Sequence, residues 1–200
     1  LASDSIVSPN SFIKNVQKRI AYLEYNLFDG GTRTNELFIR ADFLNRELEE
    51  VLSNRRLKCI NALGRLDKNK QEFSQSDVGV NNVIVRKDVL FFVDFEHSGW
   101  DDPAKNICDW IIGPNNGMNN IQCVNFVLKM IEKRSDEGLK ERLKLFLPII
   151  NIKWLLIRLN HAIEIKGDGD RFIIEARVVE ALNAYNIMTL RISAINHRME

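Results

Sequence analysis

Cysteine is scarce in this sequence, and its three positions, Cys59, Cys108 and Cys123, lie far apart. An odd number without C-x-x-C spacing argues against a disulfide framework and against a zinc site. A reducing, cytoplasmic setting fits them. Net charge is almost absent as well. The 28 Lys and Arg residues against 27 Asp and Glu leave +1, so no long-range field draws the chain to nucleic acid or to an anionic membrane. The local basic cluster Arg55, Arg56 and Lys58 reads as a solvated helix face. No apolar run approaches the ~18 residues of a membrane span. The richest one, from Leu143 to Leu159, is interrupted by Lys144, Pro148, Asn151, Lys153 and Arg158. No secretory signal is present. A glycine-rich phosphate loop is missing too: no strand pattern precedes Gly30-Gly31 and no Lys follows at useful spacing.

What remains is the composition of an ordinary globular protein, 45% hydrophobic and 28% charged over 200 residues. That length supports one domain with a substantial core. Ser8-Pro9 predicts a helix start, followed by Phe12, Ile13, Val16, Ile20 and Leu23 at helical spacing. Asp29 to Thr32 breaks the pattern. A long helical stretch then carries Leu37, Ala41, Leu44, Leu48, Leu52, Ile60 and Leu63, with a break near Ser53-Asn54. Asp67 to Glu72 reads as a polar loop. Val83 to Arg86 and Val89 to Asp94 read as strands joined through Lys87-Asp88. Two strands alone are marginal, so they need helices or a further sheet against them.

Asp102-Pro103 is a helix start with Asp at the cap, and Gly113-Pro114 ends that helix. Ile121, Val124, Val127, Leu128 and Ile131 mark the next helix. Leu139, Leu143, Phe146, Leu147 and Ile150 mark another, kinked at Pro148. After a turn at Gly167 to Gly169, Phe172, Ala176, Val179, Leu182, Tyr185 and Ile192 mark the last. The expected fold is mainly α with a small β-hairpin (α+β), a single domain over residues 1–200.

The chemistry concentrates between Phe73 and Asp109. Asp77 precedes the hairpin, Asn82 stands at the mouth of its first strand, and Asp94 ends its second. A hairpin sets the start of one strand beside the end of the other. Asn82 and Asp94 should therefore be close, with Asp77 one loop away. Hard oxygen ligands so placed suit Mg²⁺, which takes one or two carboxylates plus phosphate oxygens and water. Phosphoryl transfer asks the protein for alignment and charge neutralisation more than for covalent chemistry.

These residues resemble a known family. Asp77-x-x-x-x-Asn82, then Val93-Asp94-Phe95-Glu96, then Gly99-Trp100-Asp101-Asp102-Pro103-Ala104-Lys105, is similar to the aminoglycoside phosphotransferase and choline kinase family, whose fold is protein-kinase-like. The match is closest to bacterial members with a Ser-type catalytic loop. The resemblance implies the C-terminal lobe of that fold, with Asp77 as catalytic base, Asn82 and Asp94 as Mg²⁺ ligands that also hold the nucleotide, and Glu96 at the metal or just behind it. It implies ATP as phosphate donor and a sugar, amino alcohol or aminoglycoside hydroxyl as acceptor. Gln75 and Gly79 replace histidines common in the family, Asn81 replaces another, and Asn106 replaces an aspartate.

Family members also carry an N-terminal lobe with a phosphate-covering loop and a strand Lys, and no V-x-x-K strand or glycine-bearing hairpin is found before Asp77. Leu1 in place of Met fits a chain that begins inside a longer product. The expected partners are therefore that lobe, or a second copy docking on exposed apolar surface, besides the small-molecule acceptor. The 200 residues alone are expected to have little activity. Two other readings stay open: a non-catalytic kinase-like binding module, and a helical interaction protein whose acidic hairpin is accidental. The last predicts Asp94 far from Asn82. His97 reads as a loop residue and His161 and His197 as structural or exposed. Trp100 is expected to pack the turn, Asp101 and Asp102 to serve as turn and cap, and Asp109 to tie the following helix to the catalytic loop.

Overall fold

A computed structural model of the chain describes residues 9–29, 66–77, 79–113, 116–163 and 171–200, with single positions 46, 50, 53, 59 and 62. The expected cap at Ser8, the break at Gly30 to Thr32, the helical stretch marked by Leu37 to Leu63 and the turn at Gly167 to Gly169 lie outside the described residues. The fold is mainly helical with two small antiparallel sheets, an α+β arrangement. Its described helices are α1 (Pro9–Asp29), α2 (Pro103–Ile112), α3 (Asn120–Glu132), α4 (Leu139–Ile163) and α5 (Arg171–Met199).

Helix α4 is the axis of the core, with α1, α2 and α5 all packed against it and α3 against α5. Leu143, Phe146, Leu147, Ile149, Ile150, Ile152, Leu155 and Leu156 are all buried. They point to every side, as a helix enclosed by neighbours requires. Pro148 lies inside α4, and helix continues on both sides of it. Proline there removes one backbone donor, at roughly 3 kcal/mol in a helix interior, and the burial on either side holds the helix together across it. Buried Asn151, one turn on, joins α4 to α5 by donating to Thr189 Oγ1 at 3.2 Å and to the Tyr185 carbonyl at 3.3 Å.

The buried stripes of two helices differ from the expected ones. On α5 the inward residues are Val178, Ala181, Tyr185, Ile192, Ile195 and Met199, while Ala176 and Val179 are exposed. On α3 Cys123 and Val127 are buried and Ile121 is exposed. Apolar residues occur all round α5, so periodicity alone left its phase open, and contact with α4 decides it. The cap at Asp102 follows the sequence, and the one at Asn119 went unforeseen. Asp102 accepts from the Ala104 N–H at 2.8 Å with Pro103 in the first turn, and Asn119 and Gln122 form a reciprocal capping box at α3.

The β element is larger than expected. Strands β2 (Val83–Arg86) and β3 (Val89–Phe92) form the predicted hairpin, with Val83 opposite Phe92 and Arg86 opposite Val89. Lys87 and Asp88 both take left-handed conformations, φ 49° and 63°, the geometry that matches the twist of a two-residue hairpin. Two strands went unforeseen. β1 (Glu72–Ser74), in the segment read as a loop up to Glu72, pairs antiparallel with β4 (Gly99–Asp101), Phe73 lying opposite Trp100. They form a sheet of their own, separate from the hairpin.

Candidate functional site

The outer pair β1–β4 encloses the inner hairpin β2–β3 in the chain. Residues 75–82 leave β1 and residues 93–98 return to β4, so the two stretches run from a shared base. Gln75 fastens them: its buried side chain donates to the Val93 carbonyl, and to the Asp94 carbonyl at 3.4 Å. The Gln75 amide makes the link between the segments that carry Asp77, Asn82 and Asp94. Sequence reading gave it no role.

Asn82 is the centre of the corner. Its Nδ2 donates to the Asp77 carboxylate at 3.2 Å and to the Asp77 carbonyl at 2.9 Å. Its backbone N–H donates to the Gly79 carbonyl and its own carbonyl accepts from Val93 N–H, both at 3.0 Å. Asp94 is the next residue after Val93. The three predicted site residues thus share one corner, Asp77 and Asn82 in direct contact and Asp94 one residue from a backbone partner of Asn82. Asp94 does not end the strand as expected. β3 stops at Phe92, and Asp94 takes φ 65°, a left-handed conformation that no strand residue adopts. The Asp94 carboxylate is exposed and has no hydrogen bond or ion pair among the described residues. Glu96 is exposed in the following turn, its carboxylate 3.3 Å from His97 Nε2. Ser98 closes that turn on the Phe95 carbonyl.

The Asn82 side chain donates through Nδ2 alone among the described residues, and the Asp94 carboxylate is exposed, so each leaves oxygen atoms of the hard kind without a described partner. Oxygen donors with few protein ligands suit Mg²⁺ better than a softer metal.

Beneath the corner, ion pairs mount the sheet on the helices. Lys105 is fully buried, with Nζ 3.1 Å from Asp101 Oδ2 on β4 and 2.7 Å from Asp109 Oδ2 one turn on. Burial alone would lower its pKa, but Asp109 and then Asp101 outweigh it and hold the ammonium above its usual range. Asp109 therefore acts within α2 and through Lys105 on β4, and no described bond joins it to the loop of residues 75–82, where a tie was expected. Buried Asp102 meets Arg142 Nε of α4 at 2.8 Å, and Arg142 Nη2 reaches Asp136 at 2.5 Å. Burial raises the Asp102 carboxyl, and Arg142 offsets only part of this. Arg134 grips Glu72 of β1 through paired bonds of 2.9 Å. The spacing Lys105-x-x-x-Asp109 carried the signal for half of the first network, since residues four apart share a helix face, and Asp101 joins it from β4.

Three aromatic rings lie exposed beside the corner. Phe73 is 6.3 Å from Phe95 and 6.4 Å edge-on from Trp100. Trp100 is in β4 and 54% exposed, so it does not pack the turn as expected. His161 and His197 are exposed on α4 and α5. The cysteines are free, Cys59 exposed and Cys108 and Cys123 buried. No helix among the described residues is long and apolar enough to cross a membrane. No protein-family model matches the chain, and comparison with curated proteins gives no match either.

Proposed function

We propose that the chain is the C-terminal, catalytic lobe of a protein-kinase-like fold in an ATP-dependent small-molecule phosphotransferase of the aminoglycoside phosphotransferase type. The observation that carries this is the corner in which the Asn82 amide holds Asp77 while its carbonyl is bonded to Val93, next to Asp94. Asp77 is exposed and free to accept or orient the proton of an acceptor hydroxyl. The hydroxyl oxygen forms its bond to the γ-phosphorus as the bond to the ADP oxygen breaks, and the proton passes to the Asp77 carboxylate. Asn82 Oδ1 and the Asp94 carboxylate would hold Mg²⁺, with Glu96 close behind. When bound, Mg²⁺ supplies neutralisation of the phosphate charge. We assign the base and the α/β-phosphates of ATP to an N-terminal lobe, as the resemblance implies, and the acceptor to a sugar, amino alcohol or aminoglycoside in a cytoplasmic setting.

The ion pairs support the reading. The buried ones hold β4 against α2 and the start of α2 against α4, and the half-exposed Arg134–Glu72 pair holds β1 to the segment after α3, which is the preorganisation that positional catalysis needs. The test is Asp77→Asn in the full-length protein. ATP-dependent phosphorylation of an acceptor should fall at least about 100-fold with thermal unfolding unchanged. Undiminished turnover would reject Asp77 as base. Calorimetric binding of Mg²⁺ and nucleotide with no turnover of any hydroxyl acceptor would favour the non-catalytic binding module.

A further inference from the structure

Helix α1 packs against α4, and beside that contact a cavity of about 580 Å³ opens between the two. Each helix turns one face to it, since residues three and four apart share a side. Lys18, Arg19 and Tyr22 come from α1, and Ile157, Asn160 and His161 from α4. Arg19, Ile157 and Asn160 are partly buried, while Lys18, Tyr22 and His161 are exposed at the rim. The cavity is remote from the corner along α4. Arg142, which ties that helix to Asp102 under the corner, precedes Ile157 by roughly 22 Å of helix.

The lining decides what fits. Lys18 and Arg19 are cations, His161 offers a ring N–H, and no Asp or Glu is among the described lining residues. Lys18 and His161, on opposite helices, have no hydrogen bond or ion pair among the described residues. The whole chain carries only +1, so this is a local concentration of positive charge. Arg presents a planar fork and Lys a point charge, both suited to phosphate oxygens. A phosphate monoester carries about −1.5 to −2 charge near neutrality and several acceptor oxygens, enough to meet Lys18, Arg19 and His161 together. Asn160 asks for more than a bare anion. Its Oδ1 is buried with no hydrogen-bond partner among the described residues. An unmade buried acceptor costs free energy, and an anion without a proton cannot satisfy it, whereas a hydroxyl can. Ile157 offers its carbons to the body of such a ligand. The volume is that of an organic small-molecule site and well above what an inorganic anion fills.

We propose that the α1–α4 cavity binds a phosphorylated polyol, its phosphate held by Lys18, Arg19 and His161 and one of its hydroxyls donating to Asn160 Oδ1. This rests on the cavity and its lining, stands apart from the phosphotransferase reading, and needs neither metal nor nucleotide.

The experiment is isothermal titration calorimetry of the 200-residue chain, without metal or nucleotide, using glucose 6-phosphate, inorganic phosphate and glucose as probes. Glucose 6-phosphate should bind about tenfold or more tightly than inorganic phosphate, and glucose should not bind. Added salt should weaken the binding. Lys18→Glu and His161→Ala should each raise the dissociation constant for glucose 6-phosphate about tenfold or more. Lys129→Glu on α3 makes the same change of net charge as Lys18→Glu and should leave the constant within about twofold. Asn160→Ala should bring glucose 6-phosphate down to the affinity of inorganic phosphate. Should that variant not keep the wild-type circular dichroism, Asn160→Asp takes its place and should abolish binding by setting a carboxylate in the cavity. No binding of glucose 6-phosphate at millimolar concentration overturns the proposal. So does equal affinity for inorganic phosphate or for glucose, or binding that Lys129→Glu weakens as much as Lys18→Glu does.

Discussion

Replacing Lys105 with Met removes the cation between two buried carboxylates and keeps a side chain of similar length. Lys105 is 0% exposed, and Asp101 and Asp109 are each 1% exposed. Both acids lose their ion pairs, at 3.1 and 2.7 Å, and become like charges facing across a buried gap. Breaking a buried pair by removing one partner costs about 3–5 kcal/mol. With a urea slope of about 2 kcal/mol/M, the unfolding midpoint falls by about 2 M. The pH dependence gives a second reading of the same cause. The folded-state pKa of Lys105 lies above its usual value of 10.5, so its contribution is complete below that value and is lost as pH rises through the folded pKa. Wild-type stability should therefore decline on the alkaline side, and Lys105→Met should lack that decline. The variant should instead gain stability as pH falls from neutrality, because its stranded acids take up protons. Asp101→Asn, Lys105→Met and Asp109→Asn together should recover part of the loss, since neutralising a whole buried ion group costs far less than halving it. Urea unfolding followed by circular dichroism measures all of this. A loss below about 1 kcal/mol for Lys105→Met, with no change of pH profile, would refute the network as the mount of β4.

Asp136 is held below its usual pKa near 3.8, first by the hydrogen bond from Arg142. Its contribution is present above that value and is lost as pH falls through the lower folded one. Asp136→Asn should cost about 1–3 kcal/mol at neutral pH and flatten the acid limb of the stability curve. Acid titrations of both proteins measure the difference, and parallel curves would count against the pair. Gln75→Ala removes the amide that holds the Val93 and Asp94 carbonyls, so about 1–3 kcal/mol of stability should go. Amide hydrogen exchange should rise at residues 93–98 before it rises in α4; uniform exchange would show that Gln75 does not fasten that segment.

The hairpin was legible because Val, Ile and Phe crowd residues 83–92 and Lys87-Asp88 separates two runs of equal length. The Asp102 cap was legible because the Asp-Pro start is local chemistry. Strands β1 and β4 were not, since three-residue strands carry too little pattern and owe their existence to each other across the loop between them. The phase of α5 was hidden for the opposite reason, an excess of apolar positions. Asp77, Asn82 and Asp94 were singled out through their order in the chain, and the contact between Asp77 and Asn82 is what the structure adds. The backbone turn at Asp94 and the Gln75 clamp depend on contacts between distant segments, which no spacing records.

The functional account stands on the proposal that the corner binds a hard divalent cation. Titration of the full-length protein with Mn²⁺ in place of Mg²⁺, in the presence of a nucleotide and followed by electron paramagnetic resonance, measures it directly. One protein-bound ion that is weakened about tenfold or more by Asp94→Asn and by Asn82→Ala, but not by Glu132→Gln on distant α3, is the predicted result. Binding that ignores both corner substitutions, or no protein-bound ion at all, would contradict the account.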